Sequence, residues 1–395
     1  MRSWRAPSEN QVVADVKGNI AWVPRGLAPI RPNWDGMLPV PGDGRYEWKG
    51  FWDAGALPLE INPSRGFEAT ANQFNLPTGY PYAKVKLGFS GSDPSRYERI
   101  TEVLQENSKS SIEDSARLQF DHVSLYARRL NRLLSRDLAI QNQDVSSDPD
   151  LAKAVQLLTS WDADVAATSG PAALFEIWLY KKLLPQAVAI LVPVPAQSLV
   201  LPGDPATIVP LLEHPDTRLG SDPFAARREL LRTSLKAAFE ATQQLLGPDP
   251  SSWQWGNLHK AFWIHPLSSI TDAASQSLLN VGPFPLGGDF NTVAAATYNK
   301  SFTVTSGPSY RELIDVGRWD NSLVVNTPGQ SGDPYNPHYR DLAPLWVNGQ
   351  YFPMLFSFSL IKKATELQIR LLPSRSASWD TSDDQTLDGV AETAP

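Results

Sequence analysis

The chain has 395 residues, 42% of them apolar and 10% aromatic, enough to bury a large core, and reads as a globular protein of two or three sub-domains. Its 35 basic and 42 acidic residues leave a net charge of −7 with no basic block to track a phosphate backbone, which excludes nucleic acid as a partner. Zero cysteines remove disulfides, thiol nucleophiles and thiolate zinc sites together, and leave the compartment open.

The start, MRSWRAPSENQ, has charges but no apolar stretch behind them, so it is not a secretory signal as written. From Val12 to about Leu87 short strands alternate with turns. VVADVKGNIAWV predicts a hairpin around Lys17, Gly18 and Asn19, and LPVPGDGRYEWKGF a Pro/Gly-rich loop leading into another strand. After SDPSRYERITEVL the period becomes helical. Ser111 and Asp114 form a capping-box pattern opening a helix whose Ile112, Leu118, Val123, Tyr126, Leu130 and Leu133 share one face. The opposite face, with Arg117, Asp121, Arg128, Arg129 and Arg132, reads as solvated surface. Further helices are expected at about 150–160, 171–184 and 223–246, joined by a Pro-rich connector at 193–222. The most apolar run, AVAILVPVPAQSLVL, is cut by Pro193 and Pro195 and is shorter than the roughly 20 residues of a bilayer span, so no membrane partner is expected.

Strand signals return from about 261, in FTVTSGPSYRELIDV and NSLVVNTP. The end, SRSASWDTSDDQTLDGVAETAP, is acidic and nearly free of apolar residues, which predicts disorder. The resulting division is a strand-rich part at 1–95, a mainly helical segment at 96–260, a second strand-rich part at 261–373 and an acidic tail at 374–395. This order predicts an α+β layered fold in which the two strand blocks join one sandwich.

Local motifs alone leave the chemistry undecided. GFSGS at 88–92 approaches the G-x-S-x-G nucleophile elbow, but Ser92 stands where the last glycine belongs, and the context is a loop. His259 and His265 are six apart, which does not put two imidazoles on one helical face for a metal. They read as core or edge residues. PNWDG, GGDFN and GQSGDPYNPHY lack the EF-hand order of calcium ligands, and turn chemistry explains each. Trp22, Trp48, Trp161, Trp178 and Trp319 fall in periodic segments and read as core rather than as a carbohydrate platform. Asn72, in GFEATANQFN, is either a turn former or a fixed donor aimed at a substrate oxygen.

Many collinear blocks resemble the later part of the β chain of the penicillin acylase (penicillin amidase) family. They include ADVKGNIAWVPRG, NPSRGFEATANQFN, SRYERITEVL, SWDADVAATSGPAALFEIWL, GNLHKAFWIHPLS and the long run from GPSYRELIDV to NGQYFPM, reaching about residue 373. The resemblance implies the N-terminal nucleophile hydrolase fold, with αββα layers, and hydrolysis of a linear amide such as a β-lactam side chain. In such enzymes a serine at a newly cut terminus attacks, and its own α-amino group serves as base. That group titrates near ~7.7–8, so it accepts a proton at neutral pH without a histidine. The resemblance also implies that Asn72 contributes to the oxyanion hole and that Arg99 orients both Asn72 and the nucleophile. No Ser, Thr or Cys of this chain matches the nucleophile, Ser3 and Ser8 included, so an upstream segment or partner chain is expected to carry it. The chain alone is then expected to be inactive. No cofactor is expected: the family's calcium site draws mostly on the upstream part, and Lys84 stands near a position that often carries an acidic ligand. Periplasmic or extracellular location is likewise implied by resemblance. An acyl-homoserine-lactone acylase on the same scaffold, a non-catalytic binding module using the aromatic loops at 34–52 and 319–346, and a truncated gene model are the alternatives.

Overall fold

The computed structural model describes residues 4–88, 91, 93–107, 109–138 and 143–371. The acidic tail at 374–395 and most of the GFSGS serine motif therefore lie outside the described residues. The predicted hairpin forms: β1 (Glu9–Ala14) pairs antiparallel with β2 (Ile20–Arg25), with Ala14 opposite Ile20. Its turn is closed by Asp15, whose carboxylate accepts the Lys17 and Asn19 backbone N–H groups at 2.8 and 2.9 Å, and Gly18 takes the positive φ the turn needs. A short β3 (Glu60–Ile61) joins the other edge of β2. Between β2 and β3 the chain is mostly loop.

Helices follow. α1 (Ser95–Glu106) and α2 (Ile112–Gln119) lead to α3 (Leu125–Asp137), and Ser111 and Asp114 make the reciprocal capping box at the start of α2. The single helix expected from Ile112 through Leu133 is interrupted at 120–124. There the chain runs extended against residues 163–165, with Ser124 N donating to the Ala163 carbonyl and Val165 N to that of His122. Ser124 then caps α3 by accepting from Ala127 N. Non-local pairing outweighs a helical period that by itself continues across the gap.

α4 (Gln143–Ser146) and α5 (Pro149–Thr159) precede α6 (Gly170–Glu176), which runs through a π-helical stretch, Ile177–Leu183, into α7 (Leu184–Leu191). The Pro-rich connector is not unstructured: it holds α8 (Val194–Val200) and α9 (Pro205–Glu213) before the long α10 (Pro223–Leu246). Several prolines here sit at helix starts, although Pro210 lies inside α9. Pro205 and Pro223 each follow a capping aspartate, Asp204 and Asp222, at the first helical position, where the missing N–H has no intrahelical partner to lose. These helices enclose the main core, centred on Trp178, Phe175, Leu134, Leu158 and Phe239, each at most 1% exposed. Two polar links are sealed inside it: Arg227 Nε donates to Asp137 at 2.6 Å, and Trp178 Nε1 donates to Ser234 Oγ at 2.9 Å.

After α11 (Trp255–Leu258), β4 (Lys260–Trp263) pairs with β5 (Val281–Pro285) around α12 (Ala273–Leu279), and β6 (Thr297–Tyr298) pairs with β7 (Val304–Ser306). β8 (Arg311–Leu313), β9 (Leu323–Val325) and β10 (Phe352–Pro353) form a third set, with α13 (Leu342–Val347) before β10. Among the described residues the early and late strand blocks share no sheet. Residues 1–354 make one unit; residues from 355 onward make a second, which contains α14 (Phe358–Ala364).

Trp22 and Trp178 are core residues as expected, but Trp48 and Trp319 are 53% and 37% exposed. Neither lies in a strand: Trp48 sits in a loop and Trp319 opens a 3₁₀ turn, Trp319–Asn321.

Candidate active site

Asn72 lies on the loop that follows β3, at the rim of a cleft of about 500 Å³ lined by Asn10, Trp22, Pro24, Phe74, Leu76 and Leu87 among others. The loop is tied to the hairpin beneath it. Asn10 on β1 accepts from Trp22 Nε1 at 3.1 Å and from Asn75 Nδ2 at 3.4 Å, and Asn75 also donates to Thr70 Oγ1 at 2.8 Å. Gln73 folds back so that its side-chain oxygen accepts from Ala71 N at 2.7 Å. Phe74 packs edge-on against Tyr82, and Gly91 comes so close that a Cβ there would lie 3.0 Å from the Phe74 nitrogen. Between these anchors Asn72 adopts φ 69°, the left-handed region that asparagine enters more readily than most residues.

The amide of Asn72 is engaged on one side. Arg96 Nη2 donates to Asn72 Oδ1 at 3.0 Å, and the guanidinium also lies 5.8 Å from the centre of the Phe290 ring. Among the described residues no acceptor meets Asn72 Nδ2, so the amide presents its donor end outward. Arg96 is partly buried, and that desolvation lowers its pKa from the usual arginine value, opposed by Asp93; a guanidinium nevertheless stays charged at any ordinary pH.

Arg99, expected to hold Asn72, is placed elsewhere. Its Nη2 and Nε donate to Asp121 at 2.7 and 3.1 Å, and its Nη1 donates to Glu102 at 3.0 Å. Glu102 in turn accepts from Arg128 at 2.8 Å. The physical reason is position along α1. Helical side chains lean toward the N-terminus, and Arg96 is in the first turn, nearest the 70–75 loop. Arg99, one turn further on, meets the extended segment before α3 instead. The sequence signal that could have found Arg96 is the pair of arginines in SRYER, three apart on one helix and equally eligible until the fold is known.

Behind α1 lies a buried polar cluster that motif reading missed. Asp93 accepts from Ser95 N at 2.8 Å and from the Tyr126 hydroxyl at 2.5 Å, and the buried Ser95 hydroxyl lies 3.1 Å from the Asn291 carbonyl oxygen. Asn291 Nδ2 donates to the Tyr180 hydroxyl at 2.5 Å. Next to it, the carboxyls of Glu176 and Asp289 are both 0% exposed and close enough to act on each other's ionisation. The Tyr298 hydroxyl donates to Glu176 at 2.7 Å, and Asp289 accepts the Asn291 and Thr292 backbone N–H groups at 2.6 and 2.8 Å. Two carboxyls can share a hydrogen bond only if one keeps its proton. Burial and the adjacent Asp289 charge push Glu176 well above its ordinary value, which makes Glu176 the protonated partner.

The histidines are not gathered into a site. His259 is buried, stacked on Trp255 with ring centres 4.7 Å apart, and its Nδ1 is 2.7 Å from the Leu286 carbonyl; burial depresses it to about 4. His265 Nδ1 accepts from Leu267 N. In the aspartate loops, Asp35, Asp289 and Asp333 each accept a backbone N–H two residues on, which is turn chemistry. Lys84 is exposed, and an ammonium has no lone pair to offer a cation, so the residues here do not fit a calcium ligand at that position.

Residues 1–363 match the penicillin amidase family. The chain is 32% identical over 373 residues to an acyl-homoserine lactone acylase, QuiP, of Pseudomonas fluorescens strain Pf-5, covering 89% of this chain and 44% of that protein. It is 31% identical over 388 residues to the penicillin acylase 2 proenzyme of Pseudomonas sp. strain SE83, covering 94% and 47%. The chain thus spans less than half the length of these curated relatives. A thermostable penicillin G acylase from Alcaligenes faecalis superposes with a TM-score of 0.63 at 19% identity, over 94% of this chain and 69% of that one. At that identity the likeness is one of fold, and the fold is the α+β N-terminal nucleophile hydrolase type expected from the sequence.

Proposed function

The chain belongs to the penicillin amidase family, and we propose that it is the part of an N-terminal-serine acylase that supplies the oxyanion donor for cleaving an amide between an acyl group and an amine. The observation that carries this reading is Asn72: a cleft-rim amide whose oxygen is occupied by Arg96 and whose Nδ2 meets no acceptor among the described residues. Such a donor, fixed before the reaction, stabilises the negative charge that develops on a carbonyl oxygen under attack, and losing one costs about 2.7–4 kcal/mol in rate. The nucleophilic serine and its α-amino base come from a segment outside this chain. In the protein that includes that segment, Asn72→Ala is expected to lower kcat about 10²- to 10³-fold with little change in KM. Retention of full amide hydrolysis by Asn72→Ala would refute the assignment.

The substrate is an N-acylated amine, and two forms of it are supported by the relatives. QuiP proteins of several Pseudomonas strains are named for acyl-homoserine lactones, and the SE83 proenzyme for penicillin. Comparing kcat/KM across acyl-homoserine lactones and β-lactams of matched acyl length separates them. The acyl-homoserine lactone reading fails if only the β-lactams are turned over.

A further inference from the structure

We propose that the groove along α3 is a second binding site, for a small organic anion whose carboxylate or phosphate group is held by Arg132 and the unused donors of Arg128 and Arg136, with its apolar part against Trp161. The groove measures about 540 Å³, is lined by these four residues with Asn131 and Thr159 among others, and shares no lining residue with the Asn72 cleft. Arg128, Arg132 and Arg136 stand four apart on one helix, so one column carries three like charges, which weakens a helix unless opposite charge faces it. Protein carboxylates meet that need only in part. Arg128 gives Nη1 to Glu102, and Arg136 gives Nε to Asp137, which also pairs with the buried Arg227. Arg132, exposed between them, makes no hydrogen bond or ion pair among the described residues; its charge is felt by Glu213, but Glu213 is bonded to Arg129.

The inner wall of the groove has an unmet need of its own. Asn131 is 8% exposed, and its buried Oδ1 meets no donor among the described residues. Leaving such an acceptor unpaired is costly, and an occupant of the groove satisfies it through a hydroxyl or N–H. The neighbouring hydroxyl protons are already spent: Ser135 donates to the Asn131 carbonyl and Thr159 to that of Val155. The donors that remain for a ligand on this wall are guanidinium N–H groups, whose planar fork matches the oxygens of a carboxylate or phosphate. Trp161 is held as the apolar side by its Nε1 bond to the Asp164 carbonyl at 3.2 Å and by its contact with the Phe175 ring.

The test is calorimetric titration of the protein carrying the upstream segment with 4-hydroxybenzoate, 4-hydroxyphenyl phosphate and the neutral 4-hydroxybenzyl alcohol, repeated with Arg132→Ala and with Asn72→Ala. At least one of the two anions is expected to bind saturably, about tenfold or more tighter than the alcohol, and more weakly as salt rises. Arg132→Ala, a change at an exposed position, is expected to weaken that binding about tenfold while leaving the denaturation midpoint and amide hydrolysis unchanged. Asn72→Ala is expected to leave the binding intact. Binding of one anion alone supports the site and names its head group, carboxylate or phosphate. The proposal is overturned if neither anion binds saturably, if the alcohol binds as well as the anions, or if Arg132→Ala binds like the parent. Loss of binding in Asn72→Ala but not in Arg132→Ala puts the anion in the Asn72 cleft and overturns it too, with the oxyanion reading untouched.

Discussion

The buried Glu176–Asp289 pair makes stability depend on pH in an unusual direction. Both side chains are fully buried and near each other, and burial raises Glu176 well above its ordinary value, so the folded chain holds a proton on Glu176 that the unfolded chain gives up above an ordinary glutamate value of 4.5. The folded-state pKa is raised. Its contribution is therefore fully present below about pH 4.5 and is lost as pH rises through the folded value. Within that window one retained proton costs up to about 1.4 kcal/mol per pH unit. Glu176→Gln removes the titration without removing the bonds: the amide NH₂ donates to Asp289, and the amide oxygen accepts from the Tyr298 hydroxyl. Denaturant unfolding followed at pH 5, 6, 7 and 8 is expected to show the variant gaining on the parent as pH rises. Glu176→Ala should instead lose about 2–5 kcal/mol at every pH, through a cavity and two stranded polar groups. Parallel stability–pH curves for parent and Glu176→Gln would refute the shared-proton argument.

Arg99→Ala removes the guanidinium from Asp121 and leaves Glu102 to Arg128, so it should lower stability by about 1–3 kcal/mol, seen as a lower denaturation midpoint. Arg96→Ala, which faces the cleft rim, should leave that midpoint nearly unchanged. Arg227→Ala removes the buried guanidinium that pairs with Asp137 at 2.6 Å inside the helical core and is expected to cost about 3 kcal/mol by the same measurement.

What the sequence determined by itself is local. The Ser111–Asp114 capping box, the turn at Lys17–Asn19 and the helices near 150–160 and 223–246 depend on side chains within a few positions of one another, and contacts that close hold in almost any fold. The collinear blocks also carried the family. The tertiary structure decided everything that needed a distant partner. It broke the helix at 120–124 by pairing that stretch with 163–165, and left Trp48 and Trp319 in the open. It brought Glu176 against Asp289 across more than a hundred residues. Between two arginines on one helix, it set Arg96 against Asn72 and Arg99 against Asp121, because a single turn of rise changes which segment a side chain can reach.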